Sequence, residues 1–193
     1  MVHPRSGAEF TLAAALLLAG PLQALAADPG AGDEWTTPSG TLQGTRYSQL
    51  SQITPANAGT LVEEFAFPTN ATASHQGQPL VVGHTMYVVT PFPNKLIALN
   101  LDAPGTTRWT YTPGADGYAR GVACCDTVNR GATYADGKVI YNVLDATTVA
   151  VDAVTGKEVW RTKLGDPAAG VTMTGAPIVV NGKVIVGNSG GEL

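Results

Sequence analysis

Two adjacent cysteines are the residues whose types and spacing most clearly indicate chemistry. Cys124 and Cys125 are the only two cysteines of the chain. A disulfide between them would be strained, because disulfides usually hold Cα atoms ~4.4–6.8 Å apart and consecutive Cα atoms are ~3.8 Å apart. Such strain makes a disulfide easier to reduce, and the closed ring would form a stiff, polarizable plate suited to a flat ligand. Two buried thiols, or one reactive thiol, are the alternatives that the pair itself leaves open.

Polar residues follow the cysteine pair directly. Within RGVACCDTVNRG (120–131), Asp126, Asn129 and Arg130 come just after the two cysteines. An arginine side chain is always charged and planar, and it therefore matches the geometry of a carboxylate. The segment thus offers a cationic contact for an anionic ligand, while a surface ion pair between Arg130 and Asp126 is the ordinary alternative.

A second group of candidate residues lies near the C-terminal end. Ser189, Gly190, Gly191 and Glu192 form a continuous Ser-Gly-Gly-Glu run. The glycines permit tight backbone conformations, and Glu192 adds a carboxylate to the run. A simple turn with a solvated carboxylate is the ordinary alternative.

Short β-hairpins are the elements predicted to position these residues. Apolar runs flank a turn in three segments: VVGHTMYVV (81–89), TYADGKVIYNV (133–143) and IVVNGKVIV (178–186). Asp-Gly and Asn-Gly between apolar runs are strong hairpin signals. No stretch of the mature chain shows an apolar period of ~3.6 residues, so we expect little helix.

The hairpins and a tryptophan element both repeat along the chain. Gly137 and Gly182 are 45 residues apart in similar hairpins, and Trp109 and Trp160 end two similar segments 51 residues apart. This period predicts an all-β chain made of β-propeller blades, with a β-sandwich as the alternative. A tryptophan in each blade would pack between neighbouring sheets, and Gly156 would permit the turn before the second one. About three blades fit the length, which leaves the propeller incomplete.

Composition and the N-terminal segment restrict the possible functions. The 193 residues carry a net charge of −4, with 13% charged and 44% hydrophobic residues, which is typical of a globular domain and argues against nucleic acid as a partner. A basic start, an apolar run at 12–19 and small residues at 24–26 have the order of a secretory signal. We therefore predict a cleaved signal peptide over residues 1–27, a domain over 28–193 and a periplasmic location.

The segment after the signal resembles one enzyme family along nearly its whole length. Residues 124–131 read Cys-Cys-Asp-Thr-Val-Asn-Arg-Gly, similar to the Cys-Cys-Asp-x-Val-Asn-Arg-Gly motif of the pyrroloquinoline quinone (PQQ) alcohol dehydrogenases, the family of the methanol dehydrogenase large subunit. TLQGTRYSQLSQITPANAGTL (41–61) resembles the opening segment of that family, and residues 77–100 resemble its first full blade. The resemblance covers nearly all of 35–193 and implies the N-terminal blades of an eight-bladed β-propeller.

The resemblance implies a role toward PQQ for each matching residue. Cys124 and Cys125 would form a disulfide that covers one face of the cofactor ring, with Val128 packed nearby. Arg130 would bind a carboxylate or quinone oxygen of PQQ. Glu192 would be the carboxylate ligand of a Ca²⁺ or lanthanide ion. Hydrogen bonds to the edge of the cofactor are implied for four residues: Thr174, Ser189, Gly190 and Gly191.

One position departs from the family pattern. The family usually has a glutamate that contacts PQQ where this chain has Gln76, between His75 and Gly77. Glutamine keeps the hydrogen-bonding reach of glutamate and drops its charge, which reduces repulsion toward a tricarboxylate cofactor. Gln76 is therefore predicted to contact PQQ, whereas His75 is predicted to be a polar loop residue.

The resemblance also implies a reaction and its partners. A family member oxidises a primary alcohol such as methanol or ethanol to the aldehyde, with the metal as a Lewis acid and a periplasmic cytochrome c as electron acceptor. The aspartate base of the family would lie beyond Leu193, so we expect this chain to be inactive by itself. A homodimer and a small-subunit partner both stay open. A PQQ sugar or polyol dehydrogenase and a non-enzymatic periplasmic propeller scaffold are the rival interpretations, and the scaffold would not need the cysteine pair.

Overall fold

Antiparallel β-sheets dominate the computed structural model. It describes residues 31–124 and 126–189, so the predicted signal peptide, Cys125 and residues 190–193 lie outside the described part. The structure is 34% strand and 6% helical, which confirms the prediction of an all-β chain with little helix. No helix among the described residues is long and apolar enough to span a membrane.

Two four-stranded sheets follow one another along the chain, each with its strands in sequence order. The first sheet contains β1 (Leu80–Val82), β2 (Thr85–Val89), β3 (Leu96–Asn100) and β4 (Thr106–Tyr111). The second contains β5 (Ala132–Ala135), β6 (Lys138–Val143), β7 (Thr147–Asp152) and β8 (Glu158–Lys163). A further hairpin consists of β9 (Ile178–Val180) and β10 (Lys183–Ile185). The repeat predicted from the sequence therefore corresponds to two complete meanders and two strands that follow them.

The helical elements are short and lie in the connections. They are a 3₁₀ turn at Ala58–Thr60, the single α-helical turn α1 (Ala119–Val122) and a 3₁₀ turn at Pro167–Ala169. The helix α1 lies in the connection between the two sheets, immediately before the cysteine pair. The third turn begins after Asp166, whose side chain accepts a hydrogen bond from the backbone N–H of Ala168 at 2.9 Å.

The three predicted hairpins are confirmed, and their turn residues explain them. Asp136-Gly137 and Asn181-Gly182 join β5 to β6 and β9 to β10, and all four residues have positive φ. Two-residue type I′ turns require positive φ at both central positions, which Asn, Asp and Gly tolerate best. Gly83 supplies the positive φ in the turn between β1 and β2.

The tryptophans occupy equivalent positions in the two sheets. Trp109 pairs with Ala98 and Trp160 with Ala150, in each case next to a β-bulge. Trp109 reaches into the second sheet, where its indole N–H donates to the carbonyl oxygen of Ala153 at 3.2 Å. This contact confirms the expectation that a tryptophan packs between neighbouring sheets.

Gly156 has a second role besides the predicted turn. Its φ is +71°, and a Cβ placed there would lie 2.6 Å from Cδ2 of Trp109. The indole of the first sheet therefore lies directly on the backbone of the second sheet, and only glycine leaves room for it.

A polar joint connects the outer strands of the two sheets. The Tyr111 hydroxyl of β4 donates to Oε2 of Glu158 in β8. Arg161 donates to the same carboxylate oxygen at 2.5 Å and to the carbonyl oxygen of Pro113 at 3.1 Å. Between the sheets, the apolar core is formed by fully or nearly fully buried side chains: Leu80, Tyr87, Leu96, Val139, Tyr141, Val149 and Val151.

Candidate functional site

The residues that lead into the three predicted hairpins meet at one place. Gln78, just before β1, pairs in a parallel bridge with Gly131, just before β5. The backbone N–H of Arg130 donates to the carbonyl oxygen of Thr174, before β9, at 2.9 Å. The fold thus brings together the segments of Gln76, Arg130 and Thr174, which lie far apart in the sequence.

Arg130 is fixed by Thr174 on its side chain as well. Its Nη1 donates to Oγ1 of Thr174 at 2.6 Å, and Thr174 is buried. Arg130 itself is exposed and forms no ion pair with Asp126. The surface ion pair considered from the sequence is therefore not formed, and the guanidinium keeps donors available for a ligand.

A cavity of about 500 Å³ lies beside this arginine. Its lining combines two guanidinium groups, two amide side chains and two small apolar residues: Pro38, Arg46, Gln76, Gln78, Arg130 and Ala176. None of these lining residues carries a carboxylate. The charge and donor set of the cavity therefore suit an anionic ligand that accepts hydrogen bonds.

One atom of the cavity lining lacks a hydrogen-bond partner. Oε1 of Gln78 is buried and unpaired among the described residues. A buried acceptor without a donor costs about 1–3 kcal/mol. Arg46 and Gln78 also line a second cavity of about 550 Å³.

Close backbone packing fixes the floor of the site. A Cβ at Gly77 would lie 3.2 Å from the carbonyl oxygen of Asn129 and 3.3 Å from the backbone nitrogen of Gly131. Gly131 has a φ of +110°, a conformation that side-chain-bearing residues rarely adopt. The segment of Gln76 therefore lies tightly against the segment of Arg130.

Buried amides hold the same segments to the second sheet. Asn129 donates through Nδ2 to the carbonyl oxygen of Asn142 at 2.7 Å, and its Oδ1 accepts from the N–H of Gly131 at 2.9 Å. Asn142 donates through Nδ2 to the carbonyl oxygen of Gly175 at 2.9 Å and accepts from Thr148 Oγ1 at 2.7 Å. Buried hydrogen-bond networks of this kind rigidify a site.

Cys124 and residues 126–128 form the described part of a segment, the cysteine turn, that leads to Arg130. Cys124 is disulfide-bonded. Its predicted partner Cys125 lies outside the described residues, so the pairing stays a prediction. Val128, which follows in the same segment, is 1% exposed.

Asp126 joins the cysteine turn to a distant segment. Its Oδ1 accepts from the backbone N–H of Thr127 at 2.6 Å, and its Oδ2 accepts from that of Ser74 at 3.3 Å. The hydrogen bond from Thr127, followed by that from Ser74, lowers the pKa of the Asp126 carboxyl below its ordinary value. The carboxylate is therefore ionised at neutral pH.

The C-terminal candidates are described only in part. Ser189 forms an antiparallel bridge with Thr172, with N–H···O distances of 2.7 and 3.1 Å. Ser189 therefore lies opposite Thr172, which is two positions before Thr174 in the chain. The remaining predicted residues, Gly190, Gly191 and Glu192, lie outside the described residues. Within the described ranges, no group of three or more His, Cys, Asp or Glu side chains could hold a metal ion.

Three residues of the site were missed by reasoning from the sequence. Arg46 and Gln78 line the cavity, and Asn142 anchors the floor. Asn142 interrupts the apolar run of β6, so a polar residue in a buried strand was the available signal. Nothing in the sequence distinguishes Arg46 or Gln78 from surface residues. His75 is exposed and contacts Thr69 and the backbone of Ala73, in agreement with a loop role.

Comparison with known proteins identifies relatives of the whole described segment. A lanthanide-dependent methanol dehydrogenase from Methylacidiphilum fumariolicum is 47% identical over 166 residues, which is 86% of this chain and 27% of that protein. A 1-butanol dehydrogenase (cytochrome c) from Thauera butanivorans is 43% identical, over 84% of this chain and 23% of that protein. The chain thus spans about a quarter of the length of these relatives.

The solved structures agree with the sequence relatives. A europium-containing methanol dehydrogenase superimposes with a TM-score of 0.80 at 46% identity, covering 86% of this chain and 28% of that one. The family model of the PQQ-linked glucose/ethanol/alcohol dehydrogenase β-propeller domain matches residues 35–192. The chain therefore belongs to the PQQ dehydrogenase β-propeller family.

Proposed function

We propose that this chain forms one wall of the PQQ site of a dehydrogenase that oxidises a primary alcohol to the aldehyde. The observation that carries the proposal is Arg130, fixed by Thr174 through two hydrogen bonds and exposed to a cavity whose described lining residues carry no carboxylate. The relatives are named for the oxidation of methanol and 1-butanol, which supports a small primary alcohol over a sugar or polyol.

The residues present fit such a cofactor. PQQ is a flat tricarboxylate, and it would supply the two-electron oxidation of the alcohol when bound. Arg130 would bind one of its carboxylate or quinone oxygens, and Gln76 would add a neutral hydrogen bond from the same cavity. Contacts to the ring face and the edge are proposed for the remaining set: Cys124, Cys125, Val128, Thr174, Ser189, Gly190 and Gly191.

A metal ion and an electron acceptor complete the proposal. Glu192 would supply a carboxylate oxygen to Ca²⁺ or a lanthanide, and two relatives are named for europium or lanthanide content. The relatives named for cytochrome c support a cytochrome c as the electron acceptor. A secretory signal over 1–27 would place the protein in the periplasm, where such a cytochrome is available.

Titration of the chain with PQQ tests the proposed site. Binding would be followed by quenching of tryptophan fluorescence and by equilibrium dialysis. Arg130→Gln should weaken binding about 10- to 100-fold, because a hydrogen bond to a charged group contributes about 1.5–3 kcal/mol.

Arg108→Gln is the matched control. Arg108 is an arginine in an exposed ion pair with Asp102 and lies outside the cavity, so its removal should leave PQQ binding unchanged. Equal losses in both variants would mean that PQQ binds by charge alone. An absence of binding by the unaltered chain would contradict the proposed site and favour the scaffold interpretation.

A further inference from the structure

The Asp126 carboxylate links two segments that both border the proposed cofactor site. It accepts hydrogen bonds from Thr127, next to it in the chain, and from Ser74, which is 52 residues away. Ser74 lies two residues before Gln76, and Asp126 lies two residues after Cys124. One side chain therefore spans the gap between the cysteine turn and the segment of Gln76.

The backbone of Asp126 has a conformation that serves this link. Its φ is +78°, a region that costs most residues about 1–2 kcal/mol and that aspartate and asparagine tolerate better than others. The carboxylate accepts two backbone N–H groups in this conformation, and a charged acceptor makes such hydrogen bonds stronger than a neutral one does. Because Asp126 adopts a costly backbone conformation and its side chain joins two segments, the fold positions it and its local conformational preference does not.

The segment of Gln76 is also fixed on the side away from Asp126. Gly77 packs against the backbone of Asn129 and Gly131, and Gln78 pairs with Gly131. Before Gly77, residues 74–76 are exposed, and the hydrogen bond from Ser74 to Asp126 is the contact that joins them to the cysteine turn. Gln76 thus lies between Gly77, which packs against the backbone of Asn129 and Gly131, and Ser74, whose N–H donates to the Asp126 carboxylate.

We propose that Asp126 is a positioning residue that ties Ser74 to the cysteine turn and thereby sets Gln76 in the cavity beside Arg130. The inference rests on the proposed function, because the cavity is taken as the PQQ site. It assigns to Asp126 an action through Gln76 and no direct contact with the cofactor.

Amide hydrogen exchange and PQQ titration of Asp126→Asn together test the inference. Asparagine keeps the size and tolerates the positive φ, but it replaces one of the two oxygens that accept separately from Thr127 and Ser74 with an NH₂ group, which cannot accept. We expect the exchange of the Ser74 amide to accelerate about tenfold and PQQ binding to weaken several-fold. Asp126→Gly, which adopts this φ without strain, should give the same two results if the asparagine variant folds poorly.

Asp152→Asn is the matched control. Asp152 is likewise exposed at its carboxylate, and its Oδ1 accepts from the backbone N–H groups of Val154 and Thr155 at 3.1 and 2.7 Å, in a turn outside the cavity. This variant should change neither Ser74 exchange nor PQQ affinity. A double-mutant cycle with Gln76→Ala should show coupling to Asp126, since a positioning role requires that Gln76 matter less once Asp126 is changed.

The outcomes separate the inference from the proposed function. Unchanged exchange at Ser74 in both Asp126 variants overturns the tie itself. Faster exchange with unchanged PQQ affinity, or with no coupling to Gln76, overturns the positioning role. Failure of the unaltered chain to bind PQQ contradicts the proposed function, and with it the role of Asp126 at a cofactor site, whereas Ser74 exchange still decides whether the tie exists.

Discussion

At the scale of single residues, the hydrogen bond from Arg130 to Thr174 orients the positively charged guanidinium of the site. Thr174→Val keeps the shape of the side chain and removes the oxygen that accepts from Arg130 at 2.6 Å. Without that acceptor the guanidinium gains rotamer freedom, and we expect PQQ affinity to fall about 5- to 10-fold, the usual effect of about 1 kcal/mol. Titration with PQQ measures the change.

Thr174→Ser serves as the rescue variant for this prediction. Serine keeps the hydroxyl acceptor and removes only a methyl group, so its PQQ affinity should stay close to that of the unaltered chain. A serine variant that binds as weakly as the valine variant would show that packing of the buried Thr174, and not its hydrogen bond, supports the site.

Residue types predicted part of this site and could not predict the rest. The cysteine pair and Arg130 are recognisable because their types and spacing are unusual. Arg46 and Gln78 reach the cavity through the path of the backbone, and Arg46 does so at a φ of 56° that no sequence pattern indicates. Contacts that depend on where a loop turns are set by tertiary packing and not by residue type.

At the scale of elements, Gly156 is the position where Trp109 of the first sheet packs directly on the backbone of the second sheet. We expect Gly156→Ala to lower the free energy of unfolding by about 2–4 kcal/mol, because the new Cβ would both adopt a φ of +71° and meet Trp109 at 2.6 Å. Urea denaturation followed by tryptophan fluorescence measures the loss.

Gly137→Ala separates the two causes in this prediction. Gly137 has a nearly identical φ of +72° but has no atom within 4 Å of the added Cβ. Its replacement should therefore cost only about 1 kcal/mol, the backbone part of the effect. Equal losses at both positions would show that the indole contact contributes nothing.

The strands were more predictable than the segments that connect them. Hairpins follow from local signals, namely Asp-Gly and Asn-Gly turns between apolar runs. No comparable turn signal in the sequence marks the 3₁₀ turn at Ala58–Thr60 or the cysteine turn. The segment of Asp126 depends on a contact with a distant residue, the hydrogen bond from the Ser74 N–H to Asp126.

At the scale of the whole molecule, the polar joint between the sheets makes stability depend on pH. Hydrogen bonds from Arg161 and then Tyr111 lower the pKa of Glu158 from 4.5 to about 2 in the fold. Burial, and then the bond to Glu158, raises the pKa of Tyr111 to about 12. Since folding lowers the pKa of Glu158, its ionised form stabilises the fold above about pH 4.5, and this contribution is lost as the pH falls toward 2.

Glu158→Gln tests this dependence. It should lower the free energy of unfolding by about 1 kcal/mol at pH 7, because the pair is partly exposed to solvent, and by less as the pH approaches 2. Glu64→Gln, at an exposed position before the first sheet, is the control and should show no such trend. A deficit that stays constant between pH 7 and pH 2 would speak against the ion pair as its source.

The bond between Arg130 and Thr174 also determines when the site can form during synthesis. The two residues are 44 positions apart, and both four-stranded sheets end before Thr174. A nascent chain that has emerged only as far as β8 therefore contains both complete sheets and the arginine, yet lacks the hydroxyl that orients it. The proposed cofactor wall can therefore be completed only after the second sheet has been synthesised.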